Sequence, residues 1–245
     1  MMTEEQSRAG PHQGQPILVA GEQLEGDPLE QTHVAMILLH GRGATADSML
    51  ELAAQWNQPD FTYLAPQAAG NSWYPSSFLA PLASNEPFLS SALALLEDVL
   101  ERIAQAGIPP ERTMLCGFSQ GAYLALEYAA RHARRYGGVV GLSGGLMGPD
   151  DTPRNYAGSL AGTPVFLGCG DIDPHIPQER VRLSVEVLRR LGGEVTMRLY
   201  RGMGHTINQD EMETVRQMMG SLIARSCRSG QQRGDGPIPE GGVKR

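Results

Sequence analysis

The sequence is short of the features that mark several protein classes. Its 245 residues include three cysteines, an odd and sparse number. Cys116 and Cys169 fall in apolar runs and Cys227 lies close to a C-terminal tail, so free thiols fit better than a disulfide framework. No C-x-x-C pair or His/Cys cluster has metal-ligand spacing, so neither a metal nor another cofactor is expected. Long apolar runs are missing too. The strongest one near the start, Val34–Leu39, is six residues, far below the ~20 needed to span a bilayer. The opening MMTEEQSRAGPHQG has neither a positive segment nor an apolar one after it, so no secretory signal is read. There is no basic stripe either. Twenty Lys and Arg face 27 Asp and Glu, a formal net charge of −7, and a basic surplus shows only in residues 226–245. Nucleic acid, an anionic membrane surface and an integral membrane segment are therefore not expected, and a reducing cytoplasm is the default location.

What is present is enough chain for one sizeable core, at 41% hydrophobic content with 30 glycines, and one α/β domain is the natural expectation. Residues 1–14 are polar and residues 227–245 are rich in glycine and proline, so both are read as disordered tails around a domain at 15–226. Between them, short β-type runs alternate with helical ones. Strands are expected at Val34–His40, Phe61–Leu64, Thr113–Gly117, Val139–Leu142, Val165–Gly168 and Val195–Tyr200, with Ile17–Ala20 as an edge strand. Leu89, Leu93, Leu96, Leu100 and Ile103 share one helical face, as do Val181, Val185, Leu188 and Leu191. A last helix opens with Asn208 and Glu211 at capping-box spacing. Apolar strands followed repeatedly by amphipathic helices imply a mostly parallel sheet covered on both faces.

The pattern G-x-S-x-G occurs twice, as GFSQG at Gly117–Gly121 and GLSGG at Gly141–Gly145, where chance supplies roughly 0.2 matches. Context separates them. Ser119 follows TMLCGF and precedes QGAYLALEYAARHARRY, read as one helix ending at Gly137. That is the strand, tight turn and helix that expose a nucleophile above a sheet. Ser143 is followed by GGLMGPDDTPRN, which cannot start a helix at once, and is read as a structural strand end.

A serine nucleophile needs a general base and an acid to orient it. His12 lies in the N-terminal tail, His33 precedes a strand, His132 sits mid-helix and His175 lies between prolines. His205, in the turn between the last strand and the last helix, falls at the same sheet edge as Ser119. Asp171 and Asp173 in GCGDIDPHIP both follow a strand, and spacing alone does not choose between them. Two amides should receive the developing oxyanion: the backbone N–H of Gln120, and that of Arg42 in the glycine-rich turn of LLHGRGATADSML. That turn lacks the lysine and spacing of a phosphate-binding loop. Trp73, Tyr74, Phe78, Leu79 and Leu82 could wall an acyl pocket or simply anchor their loop.

In order and spacing, LLHGRGATADSM, APQA, SWYP, GFSQGA, GCGDIDPHIP and GMGHTI resemble the phospholipase/carboxylesterase family that includes acyl-protein thioesterases, over about residues 34–223. The resemblance implies an α/β-hydrolase fold and hydrolysis of carboxylic esters or thioesters through Ser119, Asp173 and His205, and it favours Asp173 over Asp171. It also assigns His40 to the oxyanion loop. Small ester or thioester substrates are the expected partners, with a homodimer as a further option. Arg42 and Ala122 depart from the family pattern, which usually has an apolar residue in eukaryotic thioesterases and often a second glycine at these positions. Lysophospholipase, acyl-protein thioesterase, serine peptidase and a non-catalytic binding protein remain the alternatives.

Overall fold

The computed structural model of the protein describes residues 10–20, 29 and 32–231. Among the described residues, seven strands form one sheet: β1 (Ile17–Ala20), β2 (Val34–Leu39), β3 (Phe61–Pro66), β4 (Thr113–Phe118), β5 (Gly138–Leu142), β6 (Pro164–Gly170) and β7 (Glu194–Tyr200). Their order is β1-β3-β2-β4-β5-β6-β7. Of these strands β1 runs antiparallel, pairing Ile17 with Pro66; the remaining described pairs are parallel. This is an α/β-hydrolase fold.

Strand β2 explains the layering. All six of its residues are buried, and alternate side chains enter different cores, as a two-sided strand must. Ala35, Ile37 and Leu39 join a core with the helices α2 (Phe88–Gln105), α3 (Gln120–Arg131) and α4 (Gln178–Arg190). Val34, Met36 and Leu38 join another, with α1 (Ala46–Ala54) and α5 (Gln209–Gln231). The leucine stripe of α2 is buried along its length. In α5 the expected cap forms: the Asn208 N–H donates to Glu211 Oε2 and the Glu211 N–H to Asn208 Oδ1, both at 2.9 Å.

The structure corrects the sequence reading at four places. Helix α1, capped by Thr45 through the Ser48 N–H, was not expected. Helix α3 stops at Arg131 rather than Gly137, and His132 leaves the helix at φ −111° and ψ 51°. The backbone beyond is bound elsewhere: the Tyr136 N–H donates to Thr163 Oγ1 and the Gly137 N–H to the carbonyls of Pro110 and Thr113. Residues 10–14 are not a loose tail. Gly10–Gln13 make a turn, and His12 is fully buried. Its Nδ1 accepts the Ala69 N–H, so its Nε2–H is the donor to the Trp73 carbonyl at 3.0 Å. At the other end α5 runs through Gln231, past the boundary expected at residue 227. Residues 1–9 and 232–245 of the expected tails, and the Cys227 side chain, lie outside the described residues.

Candidate active site

The C-terminal ends of β4, β6 and β7 bring three side chains together. Ser119 joins β4 directly to α3, with φ 54° and ψ −118°, a strained conformation for a residue with a Cβ. The turn is tight enough that a Cβ on Gly121 would overlap the Leu39 and His40 carbonyls, which explains the glycine two places after the serine. The first turn of α3 also aims its N–H groups at this point, a region of positive potential.

His205, in the loop between β7 and α5, lies between two partners. Its Nδ1 is 2.7 Å from Asp173 Oδ2 and its Nε2 is 2.9 Å from Ser119 Oγ. An ionised carboxylate only accepts hydrogen bonds, so the proton sits on Nδ1 and Nε2 is free to accept from the serine hydroxyl. Phe118 packs beside the imidazole at 4.9 Å between centroids and His175 meets it edge-on at 5.0 Å. The Asp173 side chain is wholly buried. Burial by itself would raise its carboxyl, but hydrogen bonds from His205 and from the His175 and Ile176 amides outweigh that and hold it below the usual carboxylate range. Asp171 is occupied differently: its Oδ1 accepts the Gly202 N–H at 2.6 Å, fixing the turn after β7. The geometry thus separates two aspartates that spacing could not.

The loop after β2 lies against the serine. A Cβ built on Gly41 would stand 3.4 Å from the Ser119 Cβ. Among the described residues, no acceptor is paired with the backbone N–H of Arg42 or of Gln120. His40 shapes this loop from below. Its Nε2 accepts the Ala68 N–H at 3.1 Å, so Nδ1–H donates to the Gly41 carbonyl at 2.8 Å. Burial lowers its pKa and keeps the ring neutral.

A cleft of about 500 Å³ opens at Ser119 and His205. Of the five side chains read from sequence as pocket candidates, Tyr74 and Phe78 line it. Trp73 is instead fully buried, with its indole N–H donated to the His40 carbonyl at 2.8 Å. Leu79 and Leu82 are not part of the wall; Leu79 is among the most exposed large apolar residues described. Sequence reasoning missed Tyr123, whose ring stacks on Phe78 at 3.9 Å, together with Ser76, Ser77, Pro174, His175 and Ile176. A signal was available. Tyr123 lies one helical turn beyond Ser119, and Pro174–Ile176 directly follow Asp173. Among the described residues no group of His, Cys, Asp and Glu has an arrangement suited to a metal ion, and no helix is long and apolar enough to cross a membrane.

Comparison with known proteins agrees with this architecture. The family model for phospholipase/carboxylesterase matches residues 26–223. A crystal structure of a phospholipase/carboxylesterase from Dyadobacter fermentans superposes with a TM-score of 0.80 at 40% identity, covering 88% of this chain and 99% of that one. Acyl-protein thioesterase 1 of Saccharomyces cerevisiae is 28% identical over 82% of this chain and 95% of its own length. Acyl-protein thioesterase 1 of Gibberella zeae is 35% identical over a shorter stretch, 48% of this chain and 51% of that protein. With its α/β-hydrolase fold and a family match spanning most of its length, the chain belongs to the phospholipase/carboxylesterase family of serine hydrolases.

Proposed function

We propose that this protein is a serine carboxylesterase that cleaves carboxylic ester or thioester bonds through an acyl-enzyme on Ser119. One observation carries the reading: a single imidazole, that of His205, stands 2.9 Å from a strained serine hydroxyl and 2.7 Å from a buried carboxylate. In this reading Ser119 Oγ attacks the carbonyl carbon while Nε2 of His205 takes its proton. Asp173 fixes the imidazole tautomer and stabilises the imidazolium. The N–H groups of Arg42 and Gln120 receive the oxyanion, a contribution of about 10²–10³ in rate per donor. His205 then protonates the departing alcohol or thiol, and water repeats the sequence on the acyl-enzyme to release the acid.

The cleft mixes polar groups, Arg42, Ser76 and Ser77, with the apolar surfaces of Phe78, Tyr123 and Ile176, which suits an acyl group of moderate size with a polar leaving group. Thioesters are favoured as a second substrate class by the yeast and fungal relatives, which are named acyl-protein thioesterases. A cytoplasmic location belongs to the same proposal and is supported by the buried free thiols Cys116 and Cys169.

The test is covalent labelling with a fluorophosphonate, followed by a chain-length series of p-nitrophenyl esters and matched thioesters. Labelling and turnover in the wild type, both abolished in Ser119→Ala, are expected. A folded wild type that stays unlabelled and inactive on the whole series would assign the cleft to binding instead.

A further inference from the structure

The two residues whose amides are proposed to hold the oxyanion lie on different elements, Arg42 in the loop after β2 and Gln120 at the start of α3. Their side chains nevertheless converge on one loop. The Arg42 guanidinium donates to the carbonyls of Tyr74 at 2.9 Å, Pro75 at 3.0 Å and Ser76 at 2.9 Å. The Gln120 carboxamide accepts the Trp73 N–H at 2.8 Å and donates to the Tyr74 carbonyl at 2.8 Å. One oxygen, Tyr74 O, therefore accepts from both residues, and Ser72 Oγ reaches it as well at 3.0 Å. Tyr74 is 1% exposed and Gln120 5%, so water competes little for this carbonyl. A planar guanidinium can span three carbonyls at once, which a lysine ammonium on its flexible stem does poorly.

We infer that the Tyr74 carbonyl is a tie between the two oxyanion-donor residues, and that the Arg42 guanidinium and the Gln120 carboxamide are positioning groups that set the spacing of their own backbone amides. The inference rests on the hydrolase reading above and extends it to a role for the Arg42 side chain. Its physical basis is the steepness of oxyanion stabilisation. Donors act only when held about 2.7–3.1 Å from the developing charge, and a displacement of about 1 Å can cost 10²-fold. A loop residue such as Arg42 holds that tolerance only if something rigid restrains it. Any substitution at Arg42 other than proline keeps the amide, so a rate loss there reports on the guanidinium.

The experiment compares the full-length wild type with Arg42→Met, Arg42→Lys, Gln120→Met and the Arg42→Met/Gln120→Met double variant on p-nitrophenyl butyrate. Active sites are counted by fluorophosphonate titration, and butylboronic acid serves as a mimic of the tetrahedral anion. Arg42→Met should lower kcat about 10- to 100-fold with KM little changed, and boronate affinity should fall in step with kcat/KM. Arg42→Lys should recover part of the loss, and the double variant should lose no more than the worse single one, because both act through one tie. An unchanged kcat in Arg42→Met overturns the inference, as does a loss confined to KM with boronate binding intact, or losses that multiply in the double variant. If Gln120→Met fails to fold, the ranking wild type, Lys, Met at position 42 in both kcat and boronate affinity decides the matter, and a flat or reversed ranking overturns it. Failure of the hydrolase reading would look different, since the wild type itself would neither titrate nor turn over.

Discussion

The two G-x-S-x-G segments end neighbouring strands, and their backbones are nearly alike. Phe118 of β4 is in register with Leu142 of β5. Ser119 and Ser143 both have positive φ, 54° and 52°, and each donates its N–H to the next strand, to Leu142 O at 2.9 Å and Gly168 O at 2.7 Å. The two chains diverge just past the serines. After Ser119 the Ala122 and Tyr123 amides fold back onto its carbonyl and α3 begins, leaving the hydroxyl at the cleft. After Ser143 the backbone leaves the strand as a loop. Its amides are caught by side chains, Leu146 N–H by Ser184 Oγ and Met147 N–H by Glu127 Oε2. A Cβ on Gly144 would overlap that of Ala122, so the loop is pressed against α3 at the residue where this chain carries alanine rather than a second glycine. Ser143 is fully buried, and its hydroxyl lies near the Cys169 thiol without a well-formed hydrogen bond. A strained serine after a strand is therefore a shared scaffold feature. Exposure and the imidazole at 2.9 Å distinguish Ser119.

The same replacement at both serines tests this contrast most severely. Ser119→Gly should reduce kcat by roughly 10⁴–10⁶ and abolish fluorophosphonate labelling, whereas Ser143→Gly should retain both; a large rate loss at Ser143 would break the distinction. The two aspartates extend it. Asp173→Asn should cost about 10⁴ in kcat by disturbing the imidazole tautomer, while Asp171→Asn should leave titratable sites intact and lower stability by about 1 kcal/mol through its weakened bond to Gly202.

The backbone under Ser143 is itself supported by a buried acid. The Ser143 N–H rests on Gly168, and Gly168 in turn faces Glu211, whose Oε1 is buried without a partner. Burial pushes the Glu211 carboxyl from 4.5 up to about 7, so between these values the folded state keeps a proton that the unfolded chain releases. Its contribution to stability is therefore full below pH 4.5 and declines by about 3 kcal/mol as pH rises to 7. The buried imidazoles of His12 and His40, with lowered pKa values, shift stability the other way, so the carboxyl is isolated by comparison. Between pH 5 and pH 8 the urea midpoint of the wild type should fall relative to that of Glu211→Gln. The smallest effect is on the folded state of the serine variants. Relieving strain of about 1–3 kcal/mol, less about 1 kcal/mol of added chain entropy, should leave both glycine variants slightly more stable, read as a raised Tm.

Much of this was legible because the sequence carries strong periodic and positional signals. All seven described strands were anticipated: β2 to β6 are mostly buried and read as short apolar runs, while the less buried β1 and β7 lie at the sheet edges. Helices α2, α4 and α5 showed clear one-sided stripes. Helix α1 escaped because it is only nine residues long and its cap pairs Thr45 with Ser48 rather than with a glutamate or glutamine. Ser119 and His205 stood out because each falls at a strand-to-helix junction on the same edge. Spacing did not choose between Asp171 and Asp173, because alternate residues of a loop reveal nothing about which one faces inward; the family resemblance alone favoured Asp173, the one that meets His205. His12 was misplaced for a similar reason. A polar, glycine-bearing segment looks unstructured until its single buried ring is found hydrogen-bonded to residues far along the chain.

That ring limits how the molecule can be shortened. A version trimmed to the matched stretch, residues 26–223, would discard His12 and strand the Ala69 amide and the Trp73 carbonyl, which now bind it, directly before Tyr74 of the cleft wall. Anyone seeking a minimal active enzyme should therefore cut no further into the leading segment than Gly10, even though the preserved remainder would still contain every proposed reacting group.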